Sequence, residues 1–332
     1  MRYPGKHFLI RGFGNGALMF IVVLGAFGLL APRFLYATNL ANIVVQSSSI
    51  AIVAAGMTCT LLTAGIDLSV GSTMFVAAAV AGKMVLTGMS IPASIVAALG
   101  VGLVAGLINA ILVSYFSMQP FIATLGTLFL GRGLALLITE TRSLNLPESF
   151  SKLGSERLLG VPLPIVTLAV VLAAVHLLLS RTSLGRQIYA IGGSIQASRK
   201  AGIHTRRVLA STYVICGVCA AIGGLVSLAL LGTVSQTFGY QREFAAVSAA
   251  VLGGVSLFGG RGKVFPGVII GALLIQTVEN GLVMLNANPY IYPLTTGVVI
   301  FLTVLVDSLR HRQSLKMSRR IIRRPEGVNV AT

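Results

Sequence analysis

The feature that most constrains this chain is a succession of apolar stretches, each long enough to be a membrane span, running from Gly16 to Val306 with only short polar or Gly/Pro breaks between them. A hydrocarbon core of roughly 30 Å takes about 20 apolar residues per helical crossing. Inside that core the backbone must satisfy its own hydrogen bonds, which a helix does within one segment. The pattern places spans at residues 16–32, 43–64, 69–87, 92–115, 121–139, 163–180, 208–231, 243–258, 264–285 and 291–307. Composition agrees. With 55% hydrophobic and 10% charged residues and a mean hydropathy of +0.91, the chain lacks the polar surface to enclose a water-soluble core. The expectation is an all-α, polytopic membrane helix bundle of about ten transmembrane helices. Residues 1–332 form a single domain, and no stretch is left for a soluble one.

Charge tests that count. The chain carries 25 Lys+Arg against 8 Asp+Glu. In a soluble protein this would suggest nucleic acid; here the cations fall in short segments between apolar runs, which points to the lipid bilayer and to no nucleic acid. If the N-terminus is cytoplasmic, so are the loop 181–207 and the basic tail 308–332. Eighteen cations then lie inside and six outside (Arg33, Lys83, Arg142, Lys152, Arg157 and Arg242), with Arg132 inside a span. An odd number of spans would expose one of the two densest basic clusters. The opening cations Arg2, Lys6 and Arg11 before the run Ala17–Ala31 could pass for a signal peptide, but no clean small-x-small cleavage site follows, so the segment reads as a retained first span. Cys59, Cys216 and Cys219 lie in apolar segments; the last two have CxxC spacing, without a second pair or a nearby His to complete a metal site.

Several polar groups interrupt the apolar pattern. Gly65-Ile66-Asp67-Leu68-Ser69-Val70-Gly71 puts a carboxylate between glycines that permit a broken helix. Asp67 and Ser69 either cap the helix that follows or touch a solute. A second Gly-bounded break, Gly253–Gly262, hints at internal repetition. Small residues at Gly102, Gly106 and Ala110, and at Gly267 and Gly271, are spaced to let helices approach closely, and Gly100 adds another in the same span. Arg132, Glu279 and Asn280 are too costly to face lipid, so they line a path or pair within the bundle. Asn109, Gln119, Thr124 and Thr127 are neutral groups that suit a polyhydroxyl solute better than an ion. The external loop 140–162 is either a connector or a surface for a partner. In the loop 181–207, Ser194 is placed to cap a short helix that Gly202 ends. That helix is either part of a solvated connector or a docking element for a cytoplasmic partner.

Gly56-Met57-Thr58, the Gly65–Ser72 segment, Pro120-Phe121-Ile122-Ala123-Thr124-Leu125 with Arg132-Gly133, Leu184–Gly193, and Val251-Leu252-Gly253-Gly254 with Gly259-Gly260 occur in that order over residues 40–308. Together they resemble the ribose/xylose/galactose permeases of the ABC transporter superfamily. The resemblance implies a monosaccharide importer in a bacterial inner membrane. It implies a second permease copy, a cytoplasmic ATP-binding subunit that holds ATP and Mg, and an extracytoplasmic sugar-binding protein; this chain itself would need no cofactor. The docking helix falls on Ser194, Ile195, Gln196, Ala197, Ser198, Arg199, Lys200 and Ala201, closed by Gly202. Path or gate candidates are Asp67, Ser69, Asn109, Gln119, Phe121, Thr124, Arg132, Glu243, Glu279 and Asn280. The chain departs from the family run Glu-Leu-Asp-Ala-Ile-Ala-Ala at Glu243-Phe244-Ala245, so Glu243 lacks a neighbouring carboxylate. No Gly-x4-Gly-Lys-Ser/Thr phosphate loop is present, so ATP hydrolysis belongs to another subunit. Two other classes compete: a proton- or sodium-coupled carrier, with Asp67, Glu279 and His176 as its few ionisable groups at depth, and a membrane enzyme, for which neither HExxH nor GxSxG appears.

Overall fold

The computed structural model describes residues 5–309 apart from 289, 293, 296, 300, 306 and 307. Most of the basic tail 308–332 lies outside the described residues. Twelve helices follow in order: α1 (Gly5–Leu30), α2 (Ala37–Leu62), α3 (Val70–Leu86), α4 (Ile91–Ala110, continued by a π turn Ile111–Tyr115), α5 (Pro120–Thr139), α6 (Glu148–Ser155), α7 (Leu163–Arg181), α8 (Ser183–Gly193), α9 (Ile195–Lys200), α10 (Thr205–Leu231), α11 (Arg242–Leu252) and α12 (Gly267–Met284). Beyond α12, every described residue from 291 to 309 is helical.

Six of these segments are long and apolar enough to cross a membrane: α2, α4 with its π turn, α5, α7, α10 and α12. Gly16–Leu30 and α3 are apolar but shorter. The chain is a polytopic all-α membrane protein, to which the loops add two two-residue ladders. β1 (Leu144–Asn145) pairs antiparallel with β4 (Thr233–Val234), and β2 (Arg157–Leu158) with β3 (Val161–Pro162). The span expected at 243–258 is cut short, because α11 has 11 residues. At 1.5 Å per residue it reaches roughly 16 Å, about half the hydrocarbon thickness.

Burial separates inner from outer helices. From Ser47 to Leu62 every residue of α2 is buried, as is most of α3. By contrast α5 exposes Phe129, Leu130, Leu134 and Leu137, and α4 exposes Leu103, Val104, Leu107 and Ile108. Such faces would aggregate in water and are at home against acyl chains. At the centre, α10 packs along α4 through glycines on both sides. A Cβ at Gly102 would meet the Gly217 carbonyl and Ala221, one at Gly106 would meet Tyr213 O and Val214, and one at Gly217 would meet Gly102 O. Gly100, with open space around its Cα, takes no part in this contact. Gly267 and Gly271 do the same for α12 against Gly253, just past α11, and Ala249 of α11. The loop 140–162 is a folded cover: Phe150 of α6 is fully buried, and Gly154 presses on the Ala229 carbonyl of α10.

Candidate functional site

The two helix breaks are built alike. After α2, Ala64 is left-handed (φ 59°), with Gly65 N–H donating to Thr60 O at 3.0 Å and Ala64 N–H to Leu61 O at 2.9 Å. After α11, Gly254 is left-handed (φ 96°), with Val255 N–H donating to Ala250 O at 3.0 Å and Gly254 N–H to Val251 O at 2.9 Å. Both are Schellman closures, which satisfy the terminal carbonyls of a helix. The glycines of the first break serve another purpose than the one expected of them. The left-handed residue is Ala64, while Gly65 makes room for the Tyr213 hydroxyl, and Gly71 for the Glu243 carboxyl and the Gly239 carbonyl.

Asp67 is buried between these helices. Its Oδ1 accepts from Ser69 N–H (2.9 Å), Ser69 Oγ (2.6 Å) and Asn109 Nδ2 (3.2 Å). Asn109 Nδ2 also donates to Ser69 Oγ (2.7 Å), and its Oδ1 accepts from Thr127 Oγ1 (2.8 Å). Thr124 Oγ1 reaches Pro120 O (2.8 Å) and Ile66 O (3.3 Å). A relay thus ties α5 and α4 to the break. Of the two expected caps, Asp67 accepts one N–H at the start of α3, that of Ser69, and Ser69 accepts none. Ser69 stands at the N-cap position without a side-chain cap bond, because its hydroxyl and the carboxylate are engaged with each other and with Asn109. Asn109, Thr124 and Thr127 bond one another and the backbone. Gln119 and Phe121 lie at the exposed start of α5, outside the relay.

Arg132 faces protein. Its guanidinium donates to Phe238 O (3.1 Å) and Gly239 O (2.8 Å) and lies over the rings of Phe75 and Tyr240. Glu243 is buried against Gly71. The neighbouring Arg242 pairs instead with Glu279, 3.1 Å away.

That ion pair stands on the wall of a cavity of about 470 Å³ between α2, α11, α12 and the helical segment beyond residue 290, also lined by Gln46, Tyr240, Ser248, Gln276, Asn280, Tyr292 and Thr295. Gln276 Nε2 donates to Gln46 Oε1 at 2.9 Å. Asn280 and Asn39 exchange amide bonds at 3.0 and 3.1 Å. Of the path candidates, then, Glu279 and Asn280 line an open space, whereas Asp67, Ser69, Asn109 and Thr124 brace the bundle. Gln46, Gln276 and Tyr240 complete the cavity and were not singled out from the sequence. Their signal was spacing: Asn39 and Gln46 lie seven apart in α2, and Gln276 lies three and four before Glu279 and Asn280 in α12, each set on one helical face.

At the other end of α2, the chain turns through α8 and α9. Ser194 caps α9, its Oγ accepting from Ala197 N–H at 3.2 Å, and Gly202 follows with φ 80°. Arg199 and Lys200 point outward, whereas Ser198 is buried. Gly192 of α8 meets both breaks backbone to backbone. A Cβ there would strike Leu62 O and Gly260 N, and Gly260 N–H itself donates to Leu62 O at 2.8 Å. Tyr189 adds a hydroxyl bond to Gly262 O at 2.7 Å; burial pushes its phenol up to about 12, which keeps it a neutral donor.

A family profile described as "Branched-chain amino acid transport system / permease component" matches residues 39–306. The ribose import permease protein of Escherichia coli K12 is 37% identical over 312 residues, 92% of this chain and 96% of that protein. The galactofuranose transporter permease protein of the same organism is 38% identical over 278 residues, 83% of this chain and 81% of its own length. Its D-allose transport system permease protein is 35% identical over 291 residues, 87% and 89%. No solved structure matches the chain. With most of its length aligned to such relatives and its polar groups arranged around broken membrane helices, the chain belongs to the permease family of the ABC monosaccharide importers.

Proposed function

We propose that the chain moves a monosaccharide or related small polyol across a bacterial inner membrane by alternating access. Ten crossings with both termini in the cytoplasm carry it, and a separate subunit that binds ATP and Mg drives it. The observation that supports a sugar is the cavity at Gln46, Gln276, Glu279 and Asn280. Amide groups donate and accept at once, as hydroxyls require, and the rings of Tyr240 and Tyr292 offer apolar faces to sugar C–H groups. The relatives named for ribose, galactofuranose and D-allose support the same class. In this reading α9 docks onto the ATP-binding subunit, α8 passes its displacement to both helix breaks, a second permease copy completes the path, and an extracytoplasmic binding protein delivers the solute.

A branched-chain amino acid is the second reading, favoured by the family description and by the Arg242–Glu279 pair, which could bind a zwitterion. Uptake into proteoliposomes holding the assembled importer separates the two. ATP-dependent accumulation of a pentose or hexose, with no competition from leucine, is the expected result; competition by leucine alone would overturn the sugar reading. Robust uptake by this chain alone, under a proton gradient without ATP, would overturn the importer itself.

A further inference from the structure

Two adjoining recesses at the start of α10 share Ile203, His204 and Arg207. The larger, about 510 Å³, is walled by Tyr115, Arg199, His204, Arg206 and Arg207, and no carboxylate lines either recess. Arg199 Nε donates to Thr205 Oγ1 at 3.3 Å. Among the described residues, Arg206 and Arg207 have no ion-pair partner, since the three ion pairs formed there engage Lys83, Lys152 and Arg242. Three guanidinium groups around one recess repel each other. The helix does not relieve them, because Arg206 and Arg207 occupy the first turn of α10, the end whose dipole disfavours cations. The corner is therefore a cationic surface that favours an anion.

The surroundings say which anion. Tyr115 lines the recess, the chain that follows it exposes Phe116, Met118, Phe121 and Ile122, and α10 runs from the recess into the apolar bundle. A cationic hollow with an aromatic and apolar rim, at the point where helices enter lipid, complements an amphiphile with a negative head and acyl tails. A soluble phosphate would leave the apolar rim uncovered, and an acidic protein surface would have to lie flat against side chains that belong in lipid. We propose that this recess holds the headgroup of an anionic phospholipid, its phosphate between Arg199, Arg206 and Arg207 and its acyl chains along the exposed faces of α4 and α5. The lipid then anchors the loop that carries α9. The proposal requires that the chain spans a bilayer and is independent of which solute it carries.

The chain contains no tryptophan, so Tyr115→Trp in the full-length protein installs a single fluorophore at the recess. In vesicles it is quenched by brominated phosphatidylglycerol or brominated phosphatidylcholine at equal mole fraction. Phosphatidylglycerol is expected to quench in excess of its mole fraction. That preference should fall about 5-fold for each of Arg206→Gln and Arg207→Gln, equivalent to about 1 kcal/mol per cation near the surface, and should survive in the Arg206→Lys/Arg207→Lys double variant. Phe116→Trp serves as a second reporter if the first does not fold. Equal quenching by the two lipids, as expected if the recess meets an acidic protein instead, would overturn the proposal. So would a preference abolished by inorganic phosphate, which would mark a soluble-anion site.

Discussion

Asn109 is the side chain that ties the buried carboxylate to α4 and α5, because it donates to Asp67 Oδ1 and Ser69 Oγ and accepts from Thr127. Asn109→Ala removes one bond from each of Asp67, Ser69 and Thr127, all of which keep another partner, so each loss costs about 0.5–1.5 kcal/mol. The expected result is a marked fall in thermal unfolding temperature in detergent, with Thr127→Val falling less. Glu279→Gln should behave oppositely. The Arg242–Glu279 pair is about one-third exposed, so stability should move by less than about 1 kcal/mol. Loss of uptake with an unchanged melting curve would show that the carboxylate serves the cavity. At this scale the sequence was partly legible. Intramembrane cost alone identified Asp67, Arg132, Glu279 and Asn280 as groups that must face inward, and they do. Which groups form the relay and which line the cavity depends on the angle between α2, α4, α5 and α12, which no local pattern encodes. Gln46 and Gln276 escaped notice because an uncharged amide within an apolar run carries little weight until its helical face is considered.

Helix α8 touches both breaks through Gly192 while its neighbour Gly193 has open space around its Cα. The pair is therefore an internal control. Gly193→Ala should be silent or slightly stabilising in a helix. Gly192→Ala must push Leu62 and Gly260 apart, and overpacking of this kind costs about 1–3 kcal/mol. Solute-stimulated ATP hydrolysis by the assembled importer should fall for the Gly192 variant only; equal effects would remove α8 from the drive. Ser194→Ala should weaken the α9 cap by about 1 kcal/mol, seen as faster hydrogen exchange at Ala197. Here the sequence did well, since a Ser after two glycines and a Gly eight residues beyond the cap fix α9 locally. It did less well for α11, where an apolar run continues through Leu257 although the helix ends at Leu252. Hydropathy counts apolar residues and is blind to a left-handed Gly254.

Cys59, Cys216 and Cys219 are all buried thiols, so the native chain offers little background to an impermeant maleimide, and new cysteines at exposed sites report which side they face. Lys200→Cys is expected to label from the cytoplasmic side only and Glu156→Cys from the outside only. Labelling of both from one side would dismiss the ten-span arrangement. The excess of cations in a few loops is what argues for this arrangement from composition, because membrane insertion reads charge without reference to packing. The packing itself was legible only as Gly102, Gly106, Gly267 and Gly271, which announced close contacts without naming their partners.

One rod spans these scales. At about 1.5 Å per residue the 26 residues of α2 extend roughly 39 Å, with Asn39 and Gln46 beside the cavity wall at one end and Leu62 seated on Gly192 and Gly260 at the other. If the solute is recognised at the first end and the drive acts at the second, as proposed, recognition is written in side chains and the grip in main chain. A lineage could therefore exchange amides on α2 and α12 to adopt a new cargo while the engine mount, made of atoms every residue shares, stays as it was.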